Sequence, residues 1–399
     1  MALDATTGAA ILKKLYPANV LKNLTYKNRP FLSMVPKGQW KGSTVDIPLT
    51  YGNPAGVSAT ISTAITNKGN SNSKAFAVTM RKHYGVASID NEIIEKSKDQ
   101  AGAFTQALKY EVDNTWNAVA NKLAAMLYRS GGGAIGQVGS LTGSTVVTLK
   151  NKADIHNFEV GMVLEGDTAD GGGTKHSGSE AITDIDRDAG TITAAAWTDI
   201  SGIAADDYLF QAGDYDLGFH GLGSWVPSSA PGATAFFGVD RTADVSRLGG
   251  LRVSSSDVAG ATIDEKLQFG LERLFSEGAQ PSHCFLNPVN YRDLVIQLEN
   301  RAVFDKDEGR VGFKTLLMFG PGGAVKIHAD PFCPKDTAFI LQMDTWMLMT
   351  TSGGLPKILD LDVGALREST SDAYEVRVGV YGNLACKAPG FNCRVDLSE

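Results

Sequence analysis

Cysteine is scarce in this chain, and close pairs of it are missing. The four present, Cys284, Cys333, Cys386 and Cys393, lie too far apart for a disulfide scaffold or for a zinc site built on CxxC-type pairs. Reduced thiols of the cytosolic kind are the expectation. Apolar runs approaching the roughly eighteen residues of a membrane span are also missing. The start, MALDATTGAAILKKLYP, lacks the basic-then-apolar pattern and cleavage site of a signal peptide. No export or membrane anchoring is expected. Blocks of like charge are absent as well: 37 basic and 44 acidic residues are interspersed, for a net charge of −7. No basic patch therefore offers counterion release to nucleic acid, and any contact with DNA should be loose.

Signatures of chemistry are equally thin. GxxxxGK[ST], HExxH and GxSxG do not occur, and no two of the six histidines are closer than twenty residues. GGGAIG at 131–136 has GxGxxG spacing but follows a helical pattern rather than a strand, which argues against a dinucleotide site. DIDRDAG at 184–190 has calcium-loop aspartates, yet Ala189 and Ala195 stand where that loop wants Gly and Glu. A hairpin turn fits it better, and DTADGGG at 167–173 is read the same way. Neither an enzyme, a cofactor nor a metal site is expected.

What the sequence does have is a long amphipathic helix and an arm. Phe104, Leu108, Val112, Thr115, Val119, Leu123 and Met126 recur every three or four residues, with Trp116 and Leu127 on the flank. Asp99 is a fitting N-cap and Gly131 to Gly133 a stop, so a helix over 100–130, roughly 45 Å long, is predicted. Its other face carries Gln106, Asp113, Asn114, Asn117 and Asn121, with Tyr110 and Tyr128 among them. Amides and tyrosines suit a wet contact surface; ordinary exposed polar residues are the other reading.

Ahead of the helix, Val45, Ile47, Leu49 and Tyr51 alternate with polar residues, and Phe76, Val78 and Met80 form a matching run. Between them lies a Gly, Ser and Asn-rich connection whose only charge is Lys68. A link this long without a core of its own suits binding or disorder. Its Val57, Ile61 and Ile65 favour the former, an arm that lies on another subunit.

Residues 1–40 have short apolar clusters, Ile11 to Leu15 and Val20 to Leu24, broken by Pro17, Pro30 and Pro36, and are expected to be extended with a helical turn or two. Asp90 with Glu92, Ile93 and Ile94 reads as a helix start. Over 136–215 short alternating runs separated by Gly and Asp predict a small β-barrel or sandwich able to fold as an insert. Beyond Gly221 helices fit Asp264–Glu277 and Val289–Arg301, and strands fit Ser282–Leu286, Val325–Ala329, Phe339–Leu341, Met347–Thr351, Lys357–Leu361 and Tyr374–Cys386. The class is α+β.

This order of elements resembles the major capsid proteins of tailed bacteriophages, the Hong Kong 97-like fold. More specific is the text after the insert: GLGSWVP at 221–227, FFGVDR at 236–241 with SRLGG at 246–250, and KIHADPFCPKDTAFIL at 326–341 look like segments of phage capsid proteins carrying the same β insert, although none of them encodes chemistry. The resemblance implies an N-terminal arm (1–41), an extended β-hairpin loop (42–82), and a peripheral domain (83–135) with a spine helix at 100–130. It further implies an all-β insertion domain (136–215), an axial domain (216–355) and a return to the peripheral domain (356–399). It implies self-assembly into hexamers and pentamers of an icosahedral virion shell, made in the bacterial cytoplasm and filled with double-stranded DNA. Val57, Ile61, Ile65, Lys68, Lys74, Tyr110, Asn114, Asn117 and Tyr128 become the candidate inter-subunit contacts.

Relatives that cross-link do so between a loop Lys and a neighbour's Asn. Lys68 and Lys74 are placed for this, but no motif marks the Asn or an assisting acid, so no cross-link is expected. A separate scaffolding protein is expected, together with a portal and decoration proteins. A nanocompartment shell of the same fold, and a glycan-binding protein using the β unit, are the alternatives.

Overall fold

The computed structural model describes residues 28–92, 101–299, 316–351, 356–359, 366–367 and 371–398. They form an α+β structure with two six-stranded sheets, a closed barrel and a two-stranded hairpin.

The first sheet is organised on one strand, Ala373–Cys386, which is buried almost continuously from Val376 onward. Val376, Val378 and Val380 supply its inward-facing apolar row, as period-two alternation requires. Arg81–Asp90 pairs antiparallel along it, from Asp90 opposite Ala373 to Arg81 opposite Gly382. On its other side lies Trp346–Thr350, which in turn carries Lys37–Gln39 as a parallel edge. The long helix, Ala101–Met126, packs across this sheet. It comes so close that a Cβ added to Gly85 would sit 2.6 Å from a Val119 methyl carbon.

The helix ends at Met126, short of the expected residue 130, while Asp99, the expected cap, lies outside the described residues. Its last turn tightens, with Tyr128 N–H donating to the Ala125 carbonyl. The carbonyls of Leu127 and Tyr128 are then taken by the N–H groups of Leu222 and Gly223, so the returning chain satisfies acceptors that a helix end leaves open.

A first core fills the space between this sheet, the helix and the hairpin base, and contains Trp225, Trp346, Phe31 and Phe76, all fully buried. Phe31 sits in the short helix Pro30–Met34, with ring centroids 5.4 Å from Tyr128 and 5.3 Å from Phe285.

The second sheet runs in the order Leu251–Val253, Cys393–Asp396, Thr337–Leu341, His283–Leu286, Gly323–Ala329, Leu316–Gly320. One face is covered by the helix Ile263–Ser276, which buries Leu267, Leu271 and Leu274 and starts with a Thr262/Glu265 capping box. Pro288–Glu299 is the second helix of this unit; the expected extension to Arg301 lies outside the described residues.

Between these parts of the sequence sits the barrel, closed in the order Tyr208–Gln211, Ala134–Thr142, Val146–Leu149, Thr191–Ala194, Glu180–Asp186, Val163–Asp167. Its core is separate, with Trp197, Phe158, Val147 and Ile192 fully buried. The first and last strands of the unit are neighbours, so the chain leaves beside the point where it entered. Here the glycine run has its use. Gly133 has φ +96°, and a Cβ on it would lie 2.3 Å from the Asp214 carbonyl oxygen, so only glycine lets the two crossings touch. DIDRDAG is a hairpin turn in which the Asp186 carboxylate accepts from the N–H groups of Asp188 and Ala189. In DTADGGG, the Asp170 carboxylate accepts from Ser130 and from Ala134 N–H, tying the loop to the barrel root.

The arm departs from the expectation of a segment without support in its own chain. Thr44–Gly52 and Asn72–Thr79 form the hairpin, and its base is packed on the first core through Ile47, Phe76 and Val78. The connection holds a short helix, Ile61–Thr66, none of whose residues is buried. The strand Arg81–Asp90 was not foreseen. The helix start after Asp90 does form, with the Asp90 carboxylate accepting from Glu92 N–H; Ile93 and Ile94 lie outside the described residues.

Two outcomes follow. Phe31→Ala should remove about 3–5 kcal/mol of stability by opening a cavity between two sheets, read as a lowered urea midpoint. A fragment spanning residues 134–211 should show a cooperative β-type melt, because its core and ladder are self-contained; a random-coil circular dichroism spectrum would contradict this.

Candidate assembly surfaces

The hairpin divides the expected contact residues into a fixed part and a presented part. Its nine-residue strand Thr44–Gly52 carries the chain roughly 30 Å at the usual rise per residue. At the base the apolar side chains are buried. At the far end Val57, Ile61 and Ile65 are 88%, 77% and 57% exposed. Ile61 and Ile65 are one helical turn apart, so they share a face of the short tip helix. Lys68 and Lys74 are exposed, Lys74 on the ladder opposite Leu49.

The helix residues behave otherwise. Tyr128 is 2% exposed, and its hydroxyl donates to Asp330 at 2.8 Å. Asn117 is 8% exposed; its amide donates to the Asp113 carbonyl, while its side-chain oxygen accepts from Arg29. Both were expected as contacts between subunits, and both are internal: polar side chains on a helix can face the interior when another segment brings them a partner. Tyr110 and Asn114 are half-buried, and Asn114 lines a cavity of about 540 Å³ between the helix, the strand Arg81–Asp90 and the barrel.

Other apolar surface went unread in the sequence. The edge strand Leu316–Gly320 buries Leu316 and Met318 and exposes Leu317 (47%) and Phe319 (71%). LLMF is apolar on both faces of a strand, the pattern of two-sided burial, and only one face is covered by the described residues. Tyr84 and Val86 are similarly exposed on Arg81–Asp90, beside the cavity.

The capsid-like sequence segments resolve into packing. Trp225 is fully buried and donates from its indole to the Leu384 carbonyl. The Arg241 guanidinium lies 4.3 Å from the Phe236 ring centroid and donates to the Ser224 carbonyl. Asp330 accepts from Tyr128, from Phe31 N–H and from Phe332 N–H, and burial raises its pKa against the pull of those bonds. These residues join the two sheets and the hairpin base; they hold no chemistry.

Ion pairs fix the barrel to the helix: Lys122 to Asp214 at 2.5 Å and Arg129 to Asp154 at 2.6 Å, both largely buried. Beside Asp214, His83 is 6% exposed and stacked on Phe219. Burial, and then the charge of Lys122, push its pKa down to about 3, so it is neutral. Among the described residues no group of three or more His, Cys, Asp and Glu converges as a metal site, and no described helix is long and apolar enough to cross a membrane.

Because the folded chain keeps His83 neutral while an unfolded chain protonates it near pH 6.5, its contribution to stability is complete above that pH and is lost progressively toward pH 3. His83→Gln should therefore flatten the fall in urea midpoint between pH 6.5 and 5; an unchanged slope would contradict the assignment.

No protein-family model matches the chain, and no curated protein is similar to it by sequence. Solved structures do match. The capsid asymmetric unit of Cyanophage A-1(L) superposes with a TM-score of 0.57 at 13% identity, covering 98% of this chain and 99% of that one. The capsid of a native GTA particle gives 0.51 at 9% identity, covering 100% of both chains. From end to end, the chain has the α+β fold of these capsid proteins.

Proposed function

We propose that this chain is the major capsid protein of a tailed double-stranded DNA bacteriophage, of the Hong Kong 97-like kind, forming hexamers and pentamers of an icosahedral head. In this reading the hairpin is the extended loop, Ala101–Met126 the spine of the peripheral domain, the barrel an insertion domain and the second sheet the axial domain. Copies of itself are the main partners, with a separate scaffolding protein, a portal and decoration proteins. DNA is held loosely, in keeping with the net charge of −7. Assembly takes place in the host cytoplasm, and the product is the virion shell. The work is structural rather than catalytic.

The observation that carries the reading is the hairpin tip. A base locked into the core presents three large aliphatic side chains that the described residues leave uncovered. Burying each on a neighbour is worth about 1.5–3 kcal/mol, before the cost of ordering the tip. Contacts of that size are weak singly and sufficient when repeated around a closed shell, which lets misplaced subunits leave.

Electron microscopy of the purified protein, alone and with a scaffold, should reveal closed particles; a persistent 42.3 kDa monomer under both conditions would overturn the reading. Ile61→Asp with Ile65→Asp should leave thermal unfolding unchanged, because both side chains are exposed, yet raise the concentration needed for shells at least tenfold. Normal shells from a deletion of residues 55–70 would remove the tip from the mechanism.

A further inference from the structure

We propose that the Leu251–Val253 edge of the second sheet holds a phosphate group, bound between Arg252 and Arg394. The site lies within one chain, so nothing in it depends on whether the protein builds shells.

The fold brings the two arginines together from remote parts of the sequence. They stand directly opposite each other on the parallel strands Leu251–Val253 and Cys393–Asp396. Like charges facing across a ladder destabilise it unless something of opposite sign joins them. Among the described residues neither guanidinium lies within ion-pair distance of a carboxylate, and Arg273, which donates to the Arg252 carbonyl, has no such partner either.

Arg394 is the less satisfied of the pair. Arg252 directs its terminal N–H groups to the carbonyls of Gly249, Gly250 and Val245, whereas the Arg394 guanidinium has no hydrogen-bond acceptor among the described residues and rests 5.7 Å from the Phe339 ring centroid. Burial lowers its pKa, against the smaller opposite pull of Cys333 and Asp396. A planar guanidinium so placed still has its donors to give.

A pocket of about 120 Å³ lies at the pair, lined also by Ser228, Ser254, Thr337 and Asp396. Thr337 is buried, yet its hydroxyl has no partner among the described residues, and the exposed Ser228 hydroxyl has none either. Two carboxylates adjoin the pocket, and serines engage both: Asp396 accepts from the N–H and hydroxyl of Ser398, and Asp257 from those of Ser254. Two guanidiniums with two hydroxyl donors suit a tetrahedral oxyanion, which offers more acceptor positions than a carboxylate. The space suits one phosphate group rather than a whole nucleotide.

The test is equilibrium dialysis of the full-length protein against radiolabelled inorganic phosphate at fixed ionic strength. A single saturable site per chain is expected at millimolar phosphate or below, with sulfate competing for it; no saturable binding would overturn the proposal. Arg394→Gln should weaken binding about tenfold and Thr337→Val about threefold, while Arg292→Gln, at an exposed position outside the pocket, should leave it unchanged. The threonine variant keeps the shape of its side chain, so it reports on the site even where loss of Arg394 upsets the fold. Binding indifferent to both substitutions would mean an adventitious ion only, and displacement by acetate as readily as by sulfate would assign the pocket to a carboxylate; either result overturns the proposal. Given a phosphate site, a short DNA duplex that displaces the label makes the DNA backbone its source, and a duplex without effect makes free phosphate the ligand.

Discussion

Everything else in the structure hangs on the pairing of Arg81–Asp90 with Ala373–Cys386, a ladder that joins an early segment of the chain to a late one. Nearly three hundred residues lie between the partners, so this contact is among the costliest in loop closure and brings no local reward until both sides have formed. Once made, it supplies the floor on which the long helix lies, the neighbour on which Trp346–Thr350 pairs, and the wall against which the hairpin base packs. Gly85 shows how close the fit is, since a single methyl there would displace either Val119 or the strand. The barrel adds little to that closure cost, because it begins and ends at adjacent strands and can form before the large loop closes.

Buried polar groups then specify how the layers meet. Asp330 links the short helix at Phe31, the end of the long helix at Tyr128 and its own turn at Phe332, three segments remote in sequence. Asn392 does the same where the two sheets join, accepting from the Trp346 indole and from Gln342 N–H and donating to Thr345. Such knots contribute less net stability than an equal area of apolar packing, but a wrong alignment leaves each member unpaired in a dry interior, at about 1–3 kcal/mol apiece. They select one arrangement among several that would bury the same hydrophobic surface.

That division explains what could be read in advance. The barrel strands and the long helix announce themselves, because each has a local apolar period and a core or face of its own. Arg81–Asp90 does not: its inward row is His83, Gly85, Ala87 and Ile89, with one large aliphatic side chain among four, because the helix approaches too closely for more. Tyr128 and Asn117 were misread for a related reason. Their polarity suggested water, while their partners, Asp330 and Arg29, come from segments 202 and 88 residues away that no local pattern connects to them. The presented aliphatics of the hairpin tip were legible because nothing nearby in sequence could cover them.

The tip is better understood as part of a lever than as a loose arm. Were the whole hairpin unsupported, ordering its twenty or more residues on a neighbour would cost more than three aliphatic side chains return, at about 1–2 kcal/mol of backbone entropy per residue. Ile47, Phe76 and Val78 remove most of that cost beforehand, because folding of the subunit itself fixes both strands in register. Only the connection near Ile61–Thr66 remains to be fixed on contact, and its short helix already orients two of the three side chains. If the tip is the inter-subunit contact proposed above, a modest apolar patch drives association to the extent that the base is rigid, and Phe76, deep in the core, then matters to assembly as Ile61 does at the surface.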